Sequence, residues 1–324
     1  MIKTDSFRST VANEIVNYIN IKQALGRCFE HQSRILLKLD QFLCKQENPD
    51  LIAETFRLWC QTLEPVSCNV RLERMRVVRN FCIYRRRTNP GCFVPDSSQF
   101  PKAHPTAQPY IFSDPDIAKI LSYSDRIPVS ARSPLRAATT RLAVILLYST
   151  GLRRGELLRL TASDYNPSTQ TLMIRESKFH KSRLLPLPDD VAMEVEKLLK
   201  TYESVRPQLP VNASLLYNPY CGGRTYSSTQ LRRNLHILFN LAGIKKPDGR
   251  LPRIHDLLFS FAVNALLRWY RNGEDVQAKL PFLAACMGHV SILSTYYYLR
   301  FIEPLATLAS SAFAAYYGSL IREV

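Results

Sequence analysis

Ser149-Thr150-Gly151-Leu152-Arg153-Arg154-Gly155-Glu156-Leu157-Leu158 is the stretch on which the reading of the fold turns. Ahead of it, residues 136–149 form an apolar helical run that includes Leu142, Ala143, Val144, Ile145, Leu146 and Leu147. The glycine at 151 makes a tight turn between this helix and the next, so Arg153 stands at a helix start. Glu156 lies on the same turn and reads as a structural partner that orients the arginines rather than as a catalytic acid.

Downstream, residues 171–175 and 183–187 read as short strands around a polar turn, Glu176 to Lys181. The segment Ser177-Lys178-Phe179-His180-Lys181-Ser182-Arg183-Leu184-Leu185-Pro186-Leu187 sets Lys178 on that turn. Helices are expected at 189–203, 228–242, 256–271 and 304–321, with Gly273 closing the third. His255-Asp256-Leu257-Leu258-Phe259-Ser260-Phe261-Ala262 opens a helix. Further on stands Met287-Gly288-His289-Val290-Ser291-Ile292-Leu293-Ser294-Thr295-Tyr296-Tyr297-Tyr298. Upstream, Ser113 followed by Asp116 is a capping-box variant that starts another helix.

Before these elements the chain changes character. Residues 12–46, 51–62 and 68–87 carry helical apolar spacing. The third holds Arg71, Arg74, Arg76, Arg79, Arg85, Arg86 and Arg87, either a solvated basic face or a set of backbone-phosphate contacts. From Thr88 to Pro109 come Pro90, Pro95, Pro101, Pro105 and Pro109, which exclude one regular element. The sequence therefore divides into a helical domain at 1–88, a stiff proline-rich linker at 89–110 and a mainly helical domain with a small hairpin sheet at 111–324.

Composition narrows the partners. The 324 residues carry 43 basic and 27 acidic side chains, a net charge of +16. The excess is spread over both halves, as expected when two domains face one polyanion, of which nucleic acid is the commonest. No apolar run is long enough to span a membrane, and the first ten residues lack a signal-peptide core, so a cytoplasmic location is expected. The eight cysteines show neither C-x-x-C spacing nor a completing His pair, so neither a zinc site nor a disulfide framework is expected.

In their order and spacing, the four boxes of the second half resemble the tyrosine recombinase or phage integrase family. Thr150 to Leu157 matches T-G-x-R-x-x-E-L. Lys178 matches the hairpin lysine ahead of R-x-x-P-L. Gly288, His289 and Tyr298 match the last box, a G-H followed by a tyrosine nine residues on. The resemblance implies a two-domain DNA clamp, a helical core-binding domain followed by an α+β catalytic domain that is mainly α with a small β-hairpin sheet. It implies site-specific DNA recombination or integration in the service of a mobile genetic element, with no metal or other cofactor. Double-stranded DNA is the implied partner. A homo- or hetero-tetramer would act on two DNA sites, with related recombinase subunits as possible members.

The resemblance assigns Tyr298 as nucleophile toward a phosphodiester, giving a 3′-phosphotyrosine. Arg153 would bind the non-bridging oxygens. Lys178 would protonate the leaving 5′-oxygen. His255 and His289 would hydrogen-bond the phosphate or manage the nucleophile's proton. Successive helical side chains point about 100° apart, so only one of Tyr296, Tyr297 and Tyr298 can aim at a phosphate. Spacing from His289 selects Tyr298, with Tyr297 as runner-up. The apolar positions of the last helix, Leu305, Leu308, Ala309, Phe313 and Ala314, could dock on a neighbour or on their own domain.

One position departs from the pattern. The family's third box is H-x-x-R, and here the arginine is replaced by Leu258, with Phe259 next to it. Neither can donate a hydrogen bond or offset charge. Losing one preorganised donor costs roughly 10²–10³ in rate. The alternative is thus a cleavage-defective DNA-binding subunit or regulator of a recombinase system. Arg253 and Arg268 lack the spacing to replace the missing group without rearrangement.

Overall fold

The computed structural model describes residues 6–46, 50–104, 108–175, 182–205, 213–218, 224–289 and 291–299. The chain forms two compact units, Met1–Ala107 and Gln108–Val324.

The first unit contains α1 (Ala12–Ala24), α2 (Glu30–Leu43), α3 (Ala53–Gln61) and α4 (Cys68–Thr88). The helical stretch expected over 12–46 is broken after Ala24, where Gly26 and Phe29 take positive φ. Ile15, Leu36, Leu39, Leu43, Val78 and Phe81 are fully buried between these helices. Asp40 is buried among them, accepting hydrogen bonds from the Arg8 and Ser9 backbone N–H groups and from the Ser9 hydroxyl, which anchors the segment before α1 on α2.

Two expectations need correcting here. The stiff proline-rich stretch is not a linker over its whole length, because part of it packs into the first unit. Phe100 is buried in the first unit's core, and Phe93 and Val94 pack on it. Arg79 and Arg86 donate to the Pro95 and Cys92 carbonyls, and Asn69 pairs with the His104 backbone in both directions. Proline excludes regular structure but not packing, and the aromatic residues between the prolines anchor the segment. The arginines of α4 are also not one solvated or DNA-facing set. Arg85 is buried and ion-paired to Glu14 and Asp50.

The second unit contains α5 (Asp114–Ser122), α6 (Arg136–Thr150), α7 (Arg154–Arg159), β1 (Tyr165–Asn166), β2 (Thr171–Ile174), β3 (Arg183–Pro186), α8 (Asp189–Val205), β4 (Tyr217–Asn218), β5 (Arg224–Thr225), α9 (Ser228–Leu241), α10 (Ile254–Arg271), α11 (Val276–Cys286) and α12 (Leu293–Leu299). It is mainly helical with a small antiparallel sheet of order β1-β2-β3, in which Thr171 faces Pro186 and Ile174 faces Arg183; β4 and β5 form a separate pair. The Ser113–Asp116 capping box forms, each side chain accepting from the other residue's backbone N–H. Among the described residues no helix is long and apolar enough to cross a membrane, and the seven described cysteines are free. The expected helix over 304–321 lies outside the described residues.

Helix α10 separates two apolar clusters. On one side Leu257 joins the main core of α6, α8, α9 and the sheet. On the other, Leu258, Phe259, Ala262, Val263 and Leu266 pack with residues of α11 and α12. Polar side chains lock this helix to the unit's first residues. Ser260 accepts from the Phe112 N–H, and Asn264 donates to the Phe112 carbonyl and the Tyr148 hydroxyl.

Gly151 sets the direction in which the chain leaves α6. It ends that helix at φ +64°, and a Cβ there would lie 2.5 Å from the Phe261 ring. The left-handed backbone disfavours L side chains by about 1–2 kcal/mol, and overpacking adds about 1–3 kcal/mol. Gly151→Ala is therefore expected to destabilise the protein by roughly 2–5 kcal/mol, read as a lowered midpoint of urea unfolding; an unchanged midpoint would contradict the close packing of this turn.

Candidate nucleic-acid site

The site is built on a buried carboxylate. Glu156, 3% exposed, accepts from the Arg153 backbone N–H at 3.0 Å and from its Nη1 at 2.8 Å. The same carboxylate receives Arg183, whose Nη2 lies 2.9 Å from Oε2 and whose Nη1 lies 3.3 Å from Oε1. Burial pushes the Glu156 carboxyl up, but hydrogen bonds and charge from Arg183 and Arg153 outweigh it and hold the group below its ordinary range. The carboxylate is thus fixed as an anion under two guanidinium groups.

Both arginines also reach the turn between α11 and α12. Arg153 Nη2 donates to the Gly288 carbonyl and Arg183 Nε to the Cys286 carbonyl. Gly288 has φ +62°, and a Cβ there would lie 2.7 Å from Arg183 Nη1 and 3.3 Å from Arg153 Nη1. Only a residue without a side chain lets the turn approach the paired guanidiniums this closely.

His289 comes directly after that glycine. Its Nδ1 lies 2.8 Å from the hydroxyl of buried Thr295, and its ring stacks with Tyr298 at 5.9 Å between centroids. Tyr298 is buried, whereas Tyr296 and Tyr297 are exposed, so one tyrosine of the triple points inward. Phe259 packs edge-to-face on Tyr298 at 4.9 Å and on the His255 ring at 5.2 Å. Burial pushes the Tyr298 phenol up to about 12, against a smaller lowering by the Arg153 charge. The phenol is therefore protonated near neutral pH.

His255 lies near the start of α10, at the surface but surrounded by protein. Desolvation, with the charges of Arg253, Arg153 and Arg154, lowers its pKa, so the imidazole is neutral at pH 7. Arg253 is the helix N-cap. Its backbone N–H, Nε and Nη2 all donate to fully buried Asp256, which also pairs with Lys246 at 3.3 Å. A cleft of about 540 Å³ opens between the starts of α7 and α10 and the side of α9, lined by Arg153, Arg154, Arg232, His236, Arg253 and His255.

Arg153, His289 and Tyr298 are thus brought together, and His255 joins them through Phe259 and the cleft. Lys178 lies outside the described residues. Leu258 is not among the residues that line the cleft; it is 3% exposed in the apolar cluster that encloses Tyr298. Sequence reasoning missed the part of Arg183, although the R-x-x-P-L strand containing it was visible. It weighed Arg253 and set it aside on spacing, and it missed Arg232 and His236. The last two show only an i, i+4 spacing on a helix, which is too common to be a signal.

Several known proteins are similar to this chain in sequence or fold. A candidate integrase/recombinase of Sinorhizobium fredii, y4rB, is 30% identical over 295 residues, covering 90% of this chain and 93% of that one. The tyrosine recombinase XerA of Pyrococcus horikoshii is 26% identical over 196 residues, 60% of this chain and 58% of its own. Among solved structures, the XerH site-specific recombinase bound to its palindromic difH substrate has a TM-score of 0.65 at 19% identity, covering 95% of this chain and 92% of that one. The Tn1549 transposon integrase with circular-intermediate DNA has a TM-score of 0.64 at 14% identity, covering 90% and 95%. Residues 114–302 match the phage integrase family, and with more than half the chain inside that match the protein belongs to the phage integrase family of tyrosine recombinases.

Proposed function

We propose that this protein carries out site-specific DNA recombination through a covalent DNA intermediate on Tyr298. The observation that carries the reading is the seating of Arg153, through Glu156 and the Gly288 carbonyl, on the turn that leads to His289 and Tyr298. Double-stranded DNA is the partner, as in the difH and Tn1549 complexes of the structural relatives. In the reaction the Tyr298 oxygen attacks phosphorus, a 3′-phosphotyrosyl bond forms and the bond to the 5′-oxygen breaks. The phenol proton passes to a nearby base, for which His255 and His289 are the candidates. Lys178 gives a proton to the leaving oxygen, and Arg153 balances the charge on the non-bridging oxygens. Strand exchange requires two DNA sites, and four protomers, identical or from related subunits, would serve them.

A second reading has its own observation. Leu258 and Phe259 replace polar groups by an apolar wall against Tyr298. A DNA-binding subunit that has lost cleavage would look like this.

A nicked suicide duplex separates the two readings. The recombinase reading expects a covalent protein–DNA adduct that Tyr298→Phe abolishes and that Tyr296→Phe and Tyr297→Phe leave intact. Duplex binding without any adduct selects the second reading, and an adduct surviving Tyr298→Phe refutes the assigned nucleophile. Gly288→Ala should cut the rate of adduct formation by about 10²-fold, because its Cβ would meet Arg183 Nη1 at 2.7 Å and disturb the guanidinium pair that seats Arg153 on Glu156. Its affinity for duplex should change little, because many phosphate contacts share the binding. Adduct formation at the wild-type rate would show that Arg153 does not depend on the glycine turn.

A further inference from the structure

The cleft between α7, α9 and α10 is lined by cationic side chains from three helices, and among the described residues no carboxylate lines it. Arg153 and Arg154 come from the start of α7, Arg253 and His255 from the start of α10. Arg232 and His236 lie one turn apart on α9. Behind the cleft, two buried carboxylates each serve two cations. Glu156 is shared by Arg153 and Arg183, and Asp256 by Arg253 and Lys246. One carboxylate offsets one cation, so the cleft keeps a surplus of positive charge.

Arg253 is not an ordinary surface arginine. Its bonds to Asp256 fix the guanidinium before any ligand arrives, while 44% of its side chain remains exposed. A preorganised fork loses less freedom on binding an oxyanion than a mobile lysine would. It also stands at the N-terminus of an 18-residue helix, where the backbone dipole favours negative charge. The charges of Arg253, Arg153 and Arg154 all act on the one His255 imidazole, which marks their convergence. A ligand for such a cleft carries several negatively charged oxygens in a row, and a DNA backbone does.

On the basis of the recombinase reading above, we propose that Arg253 supplies the second guanidinium of the DNA phosphate site, in place of the one absent at position 258, and that Arg232 holds a flanking phosphate. The helix start thus delivers the charge from the cleft side, while position 258, three residues after His255, is given over to packing α10 on α11 and α12.

The test uses the full chain and a random-sequence DNA duplex, with affinity measured over a series of NaCl concentrations. Each phosphate contact contributes about 0.9 to the slope of log affinity against log salt. Arg253→Gln and Arg232→Gln should each flatten the slope by about that amount. Arg271→Gln, which removes the same charge at the far end of α10, should leave it unchanged, and Arg253→Lys should keep most of it. Melting temperatures identify any loss of fold in Arg253→Gln, in which case Arg232→Gln decides. A steep wild-type slope that neither cleft variant alters, or that Arg271→Gln alters as much, overturns the inference and leaves the recombinase reading standing. A flat wild-type slope removes the DNA-binding reading itself.

Discussion

The Glu156 carboxylate is the interaction on which the second unit's site depends. It is buried, so its charge requires partners, and it has two: Arg153 from the start of α7 and Arg183 from β3. Those two guanidiniums in turn grip the carbonyls of Gly288 and Cys286. Three segments far apart in sequence are thereby tied to one anion. Replacing Glu156 by an apolar residue would leave two cations together without compensation, a costlier state than the loss of one bond. The glycines on either side, Gly151 and Gly288, serve the same assembly. The first turns the chain so that Arg153 enters it, and the second lets the α11–α12 turn lie against the guanidiniums.

A second carboxylate repeats the device. Asp256 is fully buried on α10 and is satisfied by the Arg253 backbone and side chain and by Lys246. In both cases an acidic side chain three residues into a helix orients the arginine at the N-cap, which is the logic of a capping box with a charged cap. The result is two arginines held by their own helices on one cleft. Such arginines keep their geometry without a ligand, which suits a site that must stabilise charge developing in a transition state.

How much of this was legible in the sequence depends on the range of the interactions. The hairpin over 171–174 and 183–186 could be read from alternation, the capping box at Ser113 from its spacing, and α6 from its apolar run, because each is decided by neighbours in sequence. Tyr298 was singled out of the triple by the family's spacing from His289, and it is the one of the three whose side chain is buried. The pairing of Arg183 with Glu156, 27 residues apart, has no local signature. Nor has the place of Arg253 beside His255 on the cleft, which the start of α10 sets. The prolines between 89 and 110 hid a real packing segment, because Phe93 and Phe100 find their partners in helices well before them.

Position 258 shows how one substitution changes a site without emptying it. An arginine there would need anions or solvent for its head, and the helix face would have to open toward the phosphate. Leucine closes that face instead. With Phe259 it completes an apolar cluster reaching Met287 and Tyr298, which packs α10 against α11 and α12. Tyr298 is buried in the same cluster, and that burial outweighs the nearby Arg153 charge in setting its protonation. Leucine at 258 thus adds packing around Tyr298 where an arginine would add a cation. Guanidinium groups gather instead at the cleft by the start of α10, where Asp256 holds Arg253 in place.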